Sequence, residues 1–144
     1  MLRLRKPKRD DPLIYKLIVK ELIPQSHLQW DQQQILDDLP DRLGEGVTYV
    51  ETTRGRFMGF IHVFKHQENL VIDMLAVDSR YQGTGIGSKL LEKAEHYGLL
   101  KKCRQSVLLS DYGNEQAKRF YLRHGYHIAR FLPSVICYEM TKKL

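Results

Sequence analysis

The apolar residues of this chain change their repeat length several times. Leu2-Arg3-Leu4-Arg5 alternates apolar with charged, the period of a half-buried strand. Asp10, Asp11 and Pro12 mark a helix start, with proline at a tolerated first-turn position. Leu13, Ile14, Leu17, Ile18 and Leu22 then recur at helical spacing until Pro24 ends the run. Asp31 opens a second short helix through Ile35 and Leu36, and Pro40 stops it. Three runs rich in β-branched and aromatic residues follow: Val47 to Thr52, Phe57 to Lys65 and Asn69 to Val77. Short polar turns separate them, so they read as an antiparallel meander. Gly83 to Gly87 is a glycine-dense loop, and Ile86, Leu90, Leu91, Ala94 and Leu99 resume helical spacing. Ser106 to Ser110 is a short apolar strand. Asn114 to His124 is helical, with Ala117, Phe120 and Tyr121 on one side and Gly125 placed to cap its end. Tyr126 to Phe131 and Val135 to Met140 read as two closing strands.

This order predicts an α/β fold: one mixed, largely antiparallel sheet of about six to seven strands with helices on both faces. No repeat, low-complexity tract or linker divides the chain, so residues 1–144 are expected to form a single domain.

Composition narrows the classes. Hydrophobic residues make up 42%, typical of a folded globular chain. No apolar run is long enough to span a bilayer, and the basic stretch Met1 to Asp10 lacks the apolar centre of a signal peptide. Cys103 and Cys137 are too few for a disulfide framework and form no CxxC pattern, so they read as reduced thiols of a cytoplasmic protein. The net charge of +6 favours polyanions, phosphorylated cofactors among them. No run of five basic residues and no basic–aromatic repeat singles out nucleic acid, which is not the expected partner.

The segment from Leu75 to Leu91 carries most of the chemistry. A strand runs into three glycines at alternate positions, Gly83, Gly85 and Gly87, and a helix starts at once. Glycine lets the backbone approach a ligand closely, and the helix start supplies free N–H groups and partial positive charge. Together they make a phosphate cradle, with Arg80 and Lys89 as nearby charges. A dinucleotide-type G-x-G-x-x-G would need glycine where Ser88 or Leu90 stands, and the segment has no Gly-Lys pair for a P-loop.

Gln82-Gly-Thr-Gly85-Ile-Gly87 resembles the Q/R-x-x-G-x-G/A motif of the GNAT acetyltransferase superfamily. Asn114-Glu-Gln-Ala117-Lys-Arg-Phe120-Tyr121-Leu-Arg-His-Gly125-Tyr126 is similar to the same family's N-x-x-A-x-x-x-Y-x-x-x-G-F stretch, with Tyr126 in place of the usual Phe. The resemblance covers residues 45 to 144 well and the first 44 weakly. It implies an N-acetyltransferase that uses acetyl-CoA as acyl donor and acetylates a primary amine of a small molecule or peptide. A non-catalytic acetyl-CoA sensor of the same fold is the alternative. The resemblance further implies that the backbone from Gln82 through Gly83, Thr84, Gly85, Ile86, Gly87 and Ser88 holds the pyrophosphate. Two central strands splay apart to take the pantetheine arm beside Leu75, Ala76 and Val77, and Asn114 contacts the cofactor. The Tyr121 hydroxyl then points at the thioester sulfur. Family members often dimerise, so a homodimer is a further expectation.

The reaction asks for a base, because an amine of pKa near 10.4 is protonated at neutral pH. Asp73 is the candidate: it interrupts the apolar run Leu70-Val71-Ile72 just before Leu75 to Val77. Tyr121 is the candidate acid for the departing thiolate, and Phe120 beside it fits a core role. A backbone N–H near Leu75 to Val77 could steady the oxyanion. His62 and His66 are about 13 Å apart if both lie on one strand, too far for one metal, so no metal is expected. His124 and His127 read as surface residues, and Cys137 as a buried structural thiol. The acidic stretch Asp31, Asp37, Asp38, Asp41 and Glu45 would suit a cationic acceptor if it borders the pocket, and otherwise is a solvated helix face.

Overall fold

The computed structural model describes residues 1–144. Its elements are β1 (Leu2–Leu4), α1 (Pro7–Leu17), α2 (Gln32–Gly44), β2 (Val47–Thr53), β3 (Arg56–His66), β4 (Asn69–Val77), α3 (Ile86–Leu100), β5 (Gln105–Asp111), α4 (Glu115–Arg123), β6 (His127–Leu132) and β7 (Cys137–Lys143). Seven strands form one sheet in the order β1-β2-β3-β4-β5-β7-β6. Every neighbouring pair is antiparallel except β4 and β5. The expected fold class is the one observed, and the element order matches.

The helices at the N-terminal end differ from the sequence reading. α1 starts earlier, with Pro7 rather than Pro12 in the first position. The start is set by Asp10, which accepts from the Lys6 backbone N–H at 2.6 Å and from both terminal guanidinium nitrogens of Arg3. Pro12 is carried inside the helix. Beyond Leu17 the coil continues as one wide turn over Ile18–Leu22 and one tight turn over Ile23–Gln25. α2 does not stop at Pro40 but runs through it to Gly44. A proline inside a helix costs about 3 kcal/mol. Burial of Leu39 and Leu43 against the sheet stabilises by roughly 1.5–3 kcal/mol each, and Asp31 caps the first turn by accepting from Gln33 and Gln34. The packing therefore outweighs the local penalty.

Two hydrophobic cores sandwich the sheet. One face meets α3 and α4 through Ile61, Val63, Leu70, Ile72, Leu90, Leu91, Leu108 and Met140. The other meets α1 and α2 through Ile14, Leu17, Leu39, Leu43, Val50, Phe60, Met74 and Ala76. β4 serves both because of a bulge. Val63 lies opposite Ile72 and His62 opposite Met74, so Asp73 is the extra residue with no partner on β3. One added residue inverts the alternation of side chains, which is why Ile72 and Met74 belong to opposite cores.

The same region opens the sheet. β4 and β5 pair only from Asn69 opposite Gln105 to Ile72 opposite Leu108. Beyond that the second half of β4 and the end of β5 diverge.

Candidate active site

The gap between the diverging strands joins two cavities. The first, about 490 Å³, is lined by Leu75, Ala76 and Val77 of β4, by Gln82, Gly83, Gly85, Ile86, Gly87 and Ser88, and by Phe120 and Arg123 of α4. The second, about 630 Å³, lies on the α1–α2 side of the sheet, between the α1–α2 segment and the ends of β4, β5 and β7. Leu22, Leu75, Asn114, Ala117 and Tyr121 line both, so the two spaces meet at Tyr121.

The first cavity ends on a helix start. Gly83 and Gly85 have φ of +78° and +85°, the left-handed region that favours glycine. Gly85 is the residue from which α3 departs, and no side chain caps that helix. The N–H groups of its first turn are free of intrahelical partners and border the cavity through Ile86, Gly87 and Ser88. Gln82 fastens the loop to β4, donating to the Val77 carbonyl at 2.9 Å, and accepts from Gln116 of α4 at 3.3 Å. Thr84 does not line the cavity; its hydroxyl donates to the Tyr81 carbonyl. Arg80 and Lys89 also stand off it. Arg80 is paired with Asp78, whose carboxyl the guanidinium holds well below the usual carboxylate range. Arg123 is the cation on the lining, and the sequence reading missed it.

The β4 backbone faces the gap in a defined way. Asp78 N donates to Met58 O at 2.8 Å, so strand alternation turns the amides of Leu75 and Val77 away from β3 and toward the opening.

Tyr121 is 9% exposed and stacks edge-on against Phe120 and Tyr126. Its hydroxyl has no hydrogen-bond partner in the protein, and burial pushes its pKa well above the ordinary phenol value. It is thus a neutral donor held at the junction. Phe120 is the more open of the two rings and lines the first cavity, so the division between core and site is less sharp than the sequence suggested. Asn114 caps α4, its side-chain oxygen accepting from Ala117 N at 3.2 Å, which leaves its amide nitrogen for the cavity. His124 is not a plain surface residue. Its ring stacks on Phe120 at 4.4 Å and lies 2.9 Å from Ser88 Oγ, tying α4 to the first turn of α3.

Asp73 faces the second cavity but is occupied. Arg42 grips it with two bonds of 2.7 and 2.8 Å, and the pairing holds the Arg42 guanidinium above its ordinary pKa. His62 stands behind it, 0% exposed, with Nδ1 2.8 Å from Thr48 Oγ1 and Nε2 3.7 Å from Asp73. Burial lowers the His62 pKa, so the ring is neutral. His66 is exposed at the far end of β3. No three His, Cys, Asp or Glu side chains are grouped to hold a metal. Of the acidic stretch, Asp31 and Asp38 border the second cavity, while Asp37, Asp41 and Glu45 do not. Cys137 is buried as expected but also lines this cavity, its thiol donating to Asp111 at 3.4 Å.

A glycine-shaped helix start thus lies beside a split parallel strand pair, with a phenol where the two cavities meet. The chain matches the acetyltransferase (GNAT) family model over residues 13–126 and belongs to that family. It is 37% identical over 86 residues to an uncharacterized N-acetyltransferase of Methanocaldococcus jannaschii, a match spanning 59% of this chain and 55% of that relative's length. Among solved structures, Ard1 from Thermoplasma volcanium is 27% identical with a TM-score of 0.83, covering 100% of this chain and 97% of that one. The PaiA N-acetyltransferase from Thermoplasma acidophilum, solved in complex with coenzyme A, shares the fold at 15% identity. Its TM-score is 0.78, over 100% of this chain and 99% of that one.

Proposed function

We propose that this chain is an acetyl-CoA-dependent N-acetyltransferase that acetylates a primary amine. The observation that carries the reading is the meeting of two cavities at Tyr121, one ending on the glycine-shaped start of α3 and the other reaching the ends of β5 and β7. In this reading the cavity of about 490 Å³ takes the donor. The residues there fit a diphosphate: left-handed glycines, free helix amides and Arg123 at the edge, while the one carboxylate on the lining, Glu21, accepts from Ser79 N at 2.6 Å. Gln82, Gly83, Gly85, Ile86, Gly87 and Ser88 would hold the pyrophosphate, with Thr84 bracing the loop from behind. Leu75, Ala76, Val77 and Asn114 would flank the pantetheine arm. Bound there, the donor supplies an activated acetyl thioester.

The chain's own part is to place, polarise and move protons. Freeing an amine of pKa near 10.4 at pH 7 costs roughly 4.6 kcal/mol, so a proton acceptor in the second cavity matters. The gap-facing amides of Leu75 and Val77 would donate to a developing oxyanion. The Tyr121 phenol, kept neutral by burial, would give its proton to the departing sulfur. Asp73 suits direct proton abstraction poorly, because Arg42 already occupies both of its oxygens. We place the protein in the cytoplasm, a reading supported by its two buried free thiols.

The test is thiol release from acetyl-CoA across an amine panel, with thermal shift by coenzyme A run beside it. Tyr121→Phe should lower kcat by about 100-fold or more while leaving the coenzyme A shift intact. Coenzyme A binding with no turnover on any amine would instead support a non-catalytic sensor.

A further inference from the structure

We infer that Asp111 is the proton acceptor of this site and that the acceptor is a primary amine on an apolar body with no carboxylate nearby. The inference rests on the acetyltransferase reading and deepens it.

The geometry comes from the end of β5. Leu108 and Met140 point into the core beneath α3 and α4, so alternation turns Leu109, Asp111 and Cys137 to the opposite face. That face is the wall of the 630 Å³ cavity. Asp111 and Cys137 are register partners across β5 and β7, and the Cys137 thiol, which has the Val135 carbonyl at 3.3 Å as a second acceptor, lies 3.4 Å from one carboxylate oxygen. Burial, with Asp111 beside it, pushes the Cys137 thiol up to about 11, so it remains a neutral donor. One Asp111 oxygen has this shared thiol beside it, and the other has no hydrogen-bond partner in the protein. Unlike Asp73, Asp111 has no salt-bridge partner. Its backbone carbonyl also accepts from Asn114 N at 3.1 Å, which places it one turn from a residue that lines both cavities. Ser110 beside it, 4% exposed and on the same lining, has a hydroxyl with no protein partner.

The rest of the wall sets the ligand class. Sixteen of the 26 lining residues are hydrophobic, with Leu28, Trp30 and Leu109 at least two-fifths exposed in the folded chain. The charged lining is Asp31, Asp38, Asp73 and Asp111 against Arg42 alone, and Arg42 is spent on Asp73. A chain of net charge +6 has therefore built an anionic, greasy cavity. Such a lining attracts an ammonium on an apolar body and repels a carboxylate.

The ammonium gives one proton to the free Asp111 oxygen, and the freed lone pair forms the C–N bond as the C–S bond breaks. Tyr121 gives its proton to sulfur and regains one from the new amide nitrogen. Asp111 returns its proton to water. Burial raises the Asp111 pKa, so activity should fall on the acid side above the ordinary carboxylate range. The groups sharing its surroundings are Cys137 on β7, His27 from the α1–α2 connection, Asp31 and Asp38 with Arg42 at α2, Asp73 on β4 and Tyr121 on α4.

The test compares 2-phenylethylamine with phenylalanine, the same body plus a carboxylate, on the full chain. Wild type should bind phenylethylamine at least tenfold more tightly by calorimetry without donor, and acetylate it at least tenfold more efficiently. Asp111→Asn should lower kcat/KM for phenylethylamine at least 100-fold and remove the acid limb of the pH profile. The thermal shift by coenzyme A should stay as it is. Asp111→Glu should keep the preference for phenylethylamine, which separates loss of charge from loss of fold. Equal binding of the two amines, or Asp111→Asn turnover within threefold of wild type, would overturn the inference. Preferential amine binding without any acetyl transfer would keep the amine site and overturn the acetyltransferase reading instead.

Discussion

Gly85 offers a measurement of what the α3 start is worth. Its φ of +85° is costly for any residue with a Cβ, yet a Cβ built there meets nothing within 4 Å. Gly85→Ala therefore tests conformation without a steric clash. The left-handed conformation costs an L-residue roughly 1–2 kcal/mol. That penalty can appear in two places. If the loop keeps its shape, the cost falls on stability, and Tm drops by about 2–8 °C for a chain of this size. If the loop relaxes, the first-turn amides of α3 turn away from the cavity of about 490 Å³ and the cost falls on affinity, about 5- to 30-fold in the coenzyme A Kd. Denaturant unfolding and calorimetry with coenzyme A, on the same preparation, separate the two, and their sum should equal the conformational penalty. Gly85→Asn should lose less on both axes, because asparagine tolerates the left-handed region better. An alanine variant with unchanged Tm and unchanged Kd would refute the assignment of Gly85 as the shaping residue. Gly87 differs in kind: its φ is ordinary, and an added Cβ would sit 3.2 Å from the Phe120 ring. Gly87→Ala should therefore act by displacing a cavity-lining side chain.

Three further outcomes follow from buried polar groups. His62 is buried neutral with a folded pKa below its unfolded value, so the unfolded chain binds the extra proton; stability should fall as pH drops below about 6.5, and His62→Gln should flatten that slope in pH-dependent urea unfolding. For Asp10, 1% exposed, burial works against ionisation, but the hydrogen bonds from Arg3 and Lys6 N prevail and hold its pKa down. Its contribution is present above about pH 4 and lost as pH falls through the folded pKa; Asp10→Asn should lower stability at pH 7 and remove that acid-side loss. Cys103 and Cys137 are both buried, and burial raises both thiol pKa values, so each should resist iodoacetamide at neutral pH and react fully in denaturant, as read by mass spectrometry.

Much of this protein is local, and the sequence alone determined it. The glycine spacing before Ile86, the helix from Asn114 and the seven-residue step to Tyr121 depend on backbone dihedrals and on contacts within a turn or two, so their order can be read directly. The strand pattern from Val47 to Val77 is likewise a short-period signal. The remaining features come from contacts between segments far apart in the chain. Arg42 takes Asp73 across 31 residues of sequence, Cys137 meets Asp111 across 26, and no periodicity encodes either pairing. Pro40 looks like a stop because its penalty is local, whereas the burial of Leu39 and Leu43 that outweighs it is not. The bulge at Asp73 shifts the side chains beyond it to the other face, and a run of alternate residues gives no sign of that shift until β3 is laid beside it. The cavity of about 630 Å³ exists because β4 and β5 part company after Ile72, a property of two strands and not of either one.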